Sequence, residues 1–309
     1  MVHRVPPAAR MVRSRDAIVV VGMGRSGTSA LARVLTLCGG ALPFPLLPSN
    51  FANPTGFWEP ERAVDLNNAF LDAQGSSFFD AGLTLQTEPV TGPDRVRFVE
   101  QIVAFLTPAL ASRRPVVLKE PRISALLPYW IEALTACGVR PSFVHIVRNP
   151  AGVAASLAAR DRLSLQHALA LWLKYNLIGE RDTRGAPRVF VSYEELMTGW
   201  EAVVARCVAE LDIGLEVRAD MRASVAAFLS PDLDHNRSAA IDARAVDPAL
   251  VAWVSVAHVL LQQPCGPEFR TSLLDQVLRD FANWSRANAP PVDLAAIREH
   301  WEALERQHA

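Results

Sequence analysis

The chain has 309 residues, half of them apolar and a fifth charged, with 31 basic against 32 acidic side chains and a formal net charge of −1. That length holds one large α/β domain, or a domain of about 200–250 residues with helical additions, and the apolar content excludes global disorder. The balanced charge argues against a general nucleic-acid binder or a polybasic membrane-surface protein, so any anion must be gripped by local groups.

Residues 1–15 read as a mobile leader, basic but without the apolar core of a secretory signal. Ala17–Val21 is a short β-branched run that predicts a strand buried on both faces. A glycine-rich turn follows, and Leu31, Val34, Leu35 and Cys38 give the next segment helical spacing. Residues 39–59, rich in Pro, Asn and Gly, read as a long loop, and a loop that long inside a domain points to function. Helices are predicted over Pro60–Ala73 and Asp94–Leu110, then a strand at Pro115–Leu118, a helix over Ser124–Cys137 and a strand at Ser142–Val147. Two helices fill 151–183, and Arg188–Val191 is the fourth strand. From Tyr193 onward the pattern is almost wholly helical, broken by the polar stretch Ser230–Asp247 and a linker at Asn288–Pro291.

Strands alternating with helices predict an α/β fold: a P-loop-type parallel sheet flanked by helices, with a largely helical C-terminal third. The expected division is a leader (1–15), an α/β domain (16–285), and a linker with a C-terminal helix packed on the domain (286–309). In that helix Leu294, Ile297, Trp301 and Leu304 form a stripe that reads as intramolecular packing, with a homodimer contact as the alternative. The longest nearly apolar stretch, Leu250–Leu261, is too short to span a bilayer, so the chain is not expected to cross a membrane. The dispersed Cys38, Cys137, Cys207 and Cys265 form no metal or disulfide pattern and place the protein in the cytoplasm.

Ligands of parallel sheets sit at the carboxyl ends of the strands, which directs attention to the residues after Val21, Leu118 and Val147. After the first strand comes Gly22-Met23-Gly24-Arg25-Ser26-Gly27-Thr28-Ser29 and then a helix. Glycines let the backbone close around an anion, and the helix N-terminus adds partial positive charge. A nucleoside-triphosphate loop carries Lys before its Ser or Thr; here Thr28 holds that position. The positive charge sits instead inside the loop at Arg25, a layout suited to a donor with one 5′-phosphate and a terminal sulfonate.

With three further segments the chain resembles the superfamily of sulfotransferases that use 3′-phosphoadenosine-5′-phosphosulfate (PAPS), in its bacterial and Golgi-like branch, over roughly residues 17–240. The loop Arg25–Ser29 resembles that family's 5′-phosphosulfate-binding loop, so Arg25, Ser26, Gly27, Thr28 and Ser29 are the implied donor contacts. Arg148 at a strand end and Ser156 eight residues on resemble the 3′-phosphate pair, and Arg160 matches a second Arg of tyrosylprotein sulfotransferases. Lys119-Glu120-Pro121 resembles an element whose Lys neutralises the bridging oxygen as the S–O bond breaks. Tyr193, in Tyr-Glu-Glu-Leu, matches a Tyr near the adenine, with a helix-start role equally compatible. Arg237 and Ser238 fall where the family closes a segment over the 3′-phosphate.

The resemblance implies PAPS as co-substrate, PAP as product, no metal, and an acceptor bearing a hydroxyl: a glycan, lipid or small natural product. Cytosolic members carry a His two residues after the strand-end Lys, and Pro121 stands there instead. Related enzymes lacking that His use a Glu from the long first loop, which makes Glu59 the leading base and Glu61 the second, with Trp58 as apolar shield for Glu59 and His235 as a further candidate. A carboxylate so placed can take the acceptor's proton. The catalytic set is thus Glu59, Lys119 and Arg25. An atypical P-loop kinase and a catalytically silent PAP-binding protein are the competing readings.

Overall fold

The computed structural model describes residues 16–50, 53–229, 243–262, 267–289 and 291–308. The leader, Cys265, and the polar segment with His235, Arg237 and Ser238 lie outside the described residues. The sheet has the strands β1 (Asp16–Val21), β2 (Val116–Leu118), β3 (Arg140–Val147) and β4 (Arg188–Ser192), all parallel, in the order β2-β1-β3-β4. This is the expected parallel architecture. β3 begins earlier than the apolar run suggests, because Arg140 pairs with Asp16 in register with β1.

Alternation along β1 divides the core. Ala17, Val19 and Val21 face one side with α2 (Glu61–Ala73), α4 (Gly92–Ala109) and α5 (Leu127–Ala136). Ile18 and Val20 face the other with α1 (Thr28–Leu37) and α8 (Tyr193–Leu211). The short α3 (Thr84–Thr87) precedes α4, and α9 (Ala219–Phe228) packs on α1. A third cluster gathers α6 (Pro150–Asp161), α7 (Leu165–Asp182), α10 (Pro248–Gln262) and α11 (Pro267–Asn288). α11 ends at Asn288, where the linker is expected, and α12 (Leu294–His308) packs on α6.

The helix expected from Ser124 is split. A 3₁₀ turn at Pro121–Ala125 comes first, and α5 starts only at Leu127 because Pro128 suits a first turn but not a helix interior. α10 is one-sided rather than fully buried: Leu250, Val254, Ala257 and Leu261 pack inward while Val256 and Val259 are exposed. Among the described residues no helix is long and apolar enough to cross a membrane.

His145 lies in the middle of the sheet, stacked on Phe190 with centroids 4.3 Å apart and its Nε2 2.9 Å from the Thr183 hydroxyl. Burial, reinforced by the positive charges of Arg188 and Arg270, holds it down to about 3 from 6.5. Between those values the unfolded chain binds a proton that the folded chain refuses, so stability must fall as pH drops through that window. His145→Gln, which keeps a hydrogen-bonding group without titrating, should give a flatter dependence of Tm on pH from 6.5 downward in thermal denaturation. An unchanged slope would show that other groups set the acid sensitivity.

Candidate active site

The four strand ends converge on one edge of the sheet. The β1–α1 loop adopts a tight anion-cradle geometry, with Gly22 (φ 150°), Arg25 (φ 70°) and Gly27 (φ 91°) at positive φ and the Gly22 N–H donating to the Ser124 hydroxyl at 3.1 Å. Glycine is demanded at position 27 by space as well as by φ: a Cβ there would lie 2.4 Å from the Tyr193 ring. Ser26 Oγ is buried and has no hydrogen-bond partner among the described residues.

Arg25 ties the loop to the third strand. Its Nε donates to Ser156 Oγ at 2.8 Å, and its carbonyl accepts from Arg148 Nη1 at 3.0 Å. The residues expected at the 5′- and 3′-ends of a donor therefore meet in a single cluster. Burial, with Arg160 and Arg148 adding repulsion against the pull of Asp161, brings Arg25 down to about 10. Asn149 caps α6 by accepting from the Ala151 N–H at 2.9 Å, which points the positive helix end at the same edge. The Trp172 indole fixes the Arg148 carbonyl at 3.1 Å.

Tyr193 is buried, with its ring lying between Gly27 and the Arg148 guanidinium, which sits 4.4 Å above it. It opens α8 one residue after Ser192, whose hydroxyl accepts from the Glu195 N–H in a capping box. The ring thus props Arg148 and the loop.

Lys119, 2% exposed at the end of β2, donates to Ser29 Oγ at 3.1 Å, to the Phe57 carbonyl at 2.9 Å and to Glu59 Oε1. Burial lowers its pKa while Glu59 opposes that shift. Glu59 is itself buried, and its backbone is fixed because its carbonyl accepts from the Leu47 N–H at 2.9 Å. Asn53 holds the same loop by donating to the Gly56 carbonyl at 2.7 Å. Trp58 does not shield Glu59. At φ 57° its indole turns the other way, edge-on to Phe228 and under Arg33, while Phe57 and Glu59 on either side face the cavity. Glu61 is exposed at the first turn of α2 and does not line that cavity.

The cavity, about 510 Å³, is lined by Arg25, Thr28, Ser29, Glu59 and Lys119 on the strand-edge side. Leu47, Phe57, Phe78, Phe79 and Arg122 add further lining, together with Leu294, Ile297, Arg298 and Trp301 of α12. Arg122 is held by Glu120, which also accepts from Asn67 Nδ2 at 2.6 Å, while the Trp130 indole donates to Asn67 at 3.0 Å. Arg160 is engaged bidentately by Asp161 and lies 5.4 Å from the Trp301 ring.

Sequence reasoning missed the support for Phe78 and Phe79. Tyr175 Oη donates to the Phe78 carbonyl at 3.0 Å, and His167 Nε2 donates to the Phe79 carbonyl at 2.6 Å. Lys174 Nζ, pushed down to about 8 by burial, donates to the carbonyls of Asp80 at 2.7 Å and Gly82 at 2.5 Å. The available signal was His167, Lys174 and Tyr175 at i, i+7 and i+8 on one face of α7.

The parallel sheet and the glycine-rich loop after its first strand define an α/β protein with a P-loop-type architecture. No family model matches the chain, and no curated protein matches it. Among the solved structures to which it is similar are several sulfotransferases. The sulfotransferase domain from the curacin biosynthetic pathway is 19% identical, with a TM-score of 0.43, covering 86% of this chain and 98% of that one. The corresponding domain of the Synechococcus PCC 7002 olefin synthase is 15% identical at 0.43, covering 88% and 98%. Mouse sulfotransferase SULT7A1, complexed with PAP, is 15% identical at 0.41, covering 95% and 90%.

Gly27→Ala should destabilise the fold by roughly 1–3 kcal/mol through strain at positive φ and the clash with Tyr193. Gly39→Ala, at φ 112° with nothing near the added Cβ, should cost less. Denaturant midpoints of the two variants test this, and equal losses would remove the Tyr193 contact from the explanation.

Proposed function

We propose that this chain is a PAPS-dependent sulfotransferase that moves a sulfuryl group to an acceptor hydroxyl. The observation that carries the reading is the interlock of Arg25 with Ser156 and Arg148 beside the buried Lys119–Glu59 pair. A phosphosulfate loop, a 3′-phosphate pair, a leaving-group cation and a carboxylate base meet at one strand edge. The loop has Thr28, 3% exposed, where a triphosphate loop has Lys, and the site ammonium arrives from β2 instead. The residues fit the donor: backbone N–H groups and Arg25 for the phosphosulfate, and Arg148 with Ser156 for the 3′-phosphate, with Arg160 nearby.

In the reaction the acceptor oxygen forms its bond to sulfur as the bond from sulfur to the 5′-phosphate oxygen breaks. Glu59 takes the acceptor's proton, and Arg25 and Lys119 meet the charge that grows on the departing phosphate. Lys119 already bridges Glu59 and Ser29, so the base and the leaving-group cation are positioned by one another. Transferring the ammonium from the carboxylate to the leaving oxygen frees Glu59 to accept the proton.

PAP should raise the melting temperature by ligand linkage, while ATP with Mg²⁺ should do little. Arg148→Ala should weaken PAP binding by about 1.5–3 kcal/mol, the range for a lost charge-assisted hydrogen bond. Stronger stabilisation by ATP–Mg²⁺ than by PAP would favour the kinase reading instead.

Glu59→Gln keeps size and hydrogen-bonding capacity but cannot take the proton. Turnover of PAPS should fall by about 10²–10⁴ and PAP affinity should hold. Full activity in this variant would remove Glu59 as the base. PAP binding by wild type with no sulfuryl transfer to any acceptor would mark a silent binding protein.

A further inference from the structure

α12 lies beyond the part of the chain that resembles sulfotransferases, yet it touches the cluster of arginines at the strand ends. The contact is made at the end of α6. Ser156 and Arg160 are one turn apart on that helix and share a face, and Ser156 accepts from Arg25. Arg160 lines the cavity with Arg25, and its charge is one of those that lower the proton affinity of Arg25. Asp161, fully buried, opposes that repulsion. It takes Arg160 side-on, with Nε 2.9 Å from both carboxylate oxygens and Nη2 2.7 Å from Oδ2. Side-on engagement occupies one edge of the planar fork and leaves Nη1 to meet a further anion. The Trp301 indole of α12 donates to the same carboxylate at 3.0 Å, and its ring lies 5.4 Å from the Arg160 guanidinium. One buried carboxylate therefore ties the remaining edge of Arg160 to the position of α12.

We infer that Asp161 and Trp301 are positioning residues for Arg160, and that through them α12 is part of the donor site. The inference rests on the sulfotransferase reading, which puts the donor's 3′-phosphate at Ser156 with Arg160 nearby. A long side chain on a helix surface loses rotamer freedom when it grips a ligand, and holding it in place beforehand removes that cost from binding. The coupling is reciprocal: if docked α12 helps Arg160 to hold the donor, the bound donor holds α12 in place. Leu294, Ile297 and Trp301 also line the cavity that contains Glu59 and Lys119, so the donor secures the wall that an acceptor meets.

The test is a double-mutant cycle read by calorimetric titration of PAP into the full chain. Arg160→Ala should weaken PAP by about ten- to a hundredfold. Trp301→Phe, which keeps a ring but removes the indole N–H, should weaken it by about fivefold. In the Arg160→Ala background the same change at Trp301 should alter PAP affinity by less than about twofold, because Trp301 acts through Arg160. Equal losses in the two backgrounds, or no loss from Trp301→Phe alone, overturn the inference. Hydrogen exchange covers the case in which Trp301→Phe does not fold. At saturating PAP, exchange in residues 294–308 should slow by about threefold or more in wild type and stay unchanged in Arg160→Ala. Slowing that is absent from wild type, or that persists in Arg160→Ala, overturns the inference. Wild type that fails to bind PAP sinks the sulfotransferase reading and this inference with it, whereas PAP binding with an additive cycle sinks this inference alone.

Discussion

An ammonium buried at the end of a strand has to be matched by oxygens, and the oxygens around Lys119 come from two separate parts of the chain. Ser29 belongs to the first helix, while Phe57 and Glu59 belong to the long first loop. Removing a charge from water costs several kcal/mol unless a counter-charge and hydrogen bonds compensate, so this demand draws the loop onto the sheet edge. The loop then closes one side of the cavity and places Phe57 beside Glu59. A pair of this kind is weak evidence for stability as such. Its value lies in register: the carboxylate and the ammonium are brought to one point.

The second consequence of crowding positive charge at the strand ends is mutual support. Arg148 lies over Tyr193, Tyr193 fills the space that Gly27 leaves, and the Arg148 guanidinium holds the Arg25 carbonyl. Arginine tolerates such a setting because its charge is delocalised and persists even when burial lowers its affinity for the proton. Lysine at position 28 would offer neither the fork nor the reach back to Ser156.

What was legible in the sequence was local. The apolar run at Ala17–Val21, the glycines after it and the helical spacing from Thr28 all depend on neighbours within a few residues, and the sheet with its active edge followed from alternation. The Arg148–Ser156 spacing was readable for the same reason, since one helix joins the pair. Contacts between distant segments were not readable. Nothing near Trp58 announces that a left-handed residue turns its indole toward Phe228 and away from Glu59. Nor does the stripe on α12 say which surface it will cover, because periodicity identifies a buried face but not its partner. His167, Lys174 and Tyr175 of α7 carry a faint trace, but their acceptors are backbone carbonyls, which have no sequence signature at all.

β1 occupies an interior position in the sheet, and its neighbours on the two sides begin at Val116 and Arg140. The glycine-rich loop that follows β1 is thus synthesised early but has no walls until much later segments arrive. Contacts so far apart in the chain are slow to form because their closure entropy is met before any pairing rewards it. A nascent chain that has emerged only through the first helix exposes a β-branched strand with two unpaired edges, a hazard for association with other chains. The same placement that puts the loop at the centre of the finished site makes its parent strand the most vulnerable segment during biogenesis.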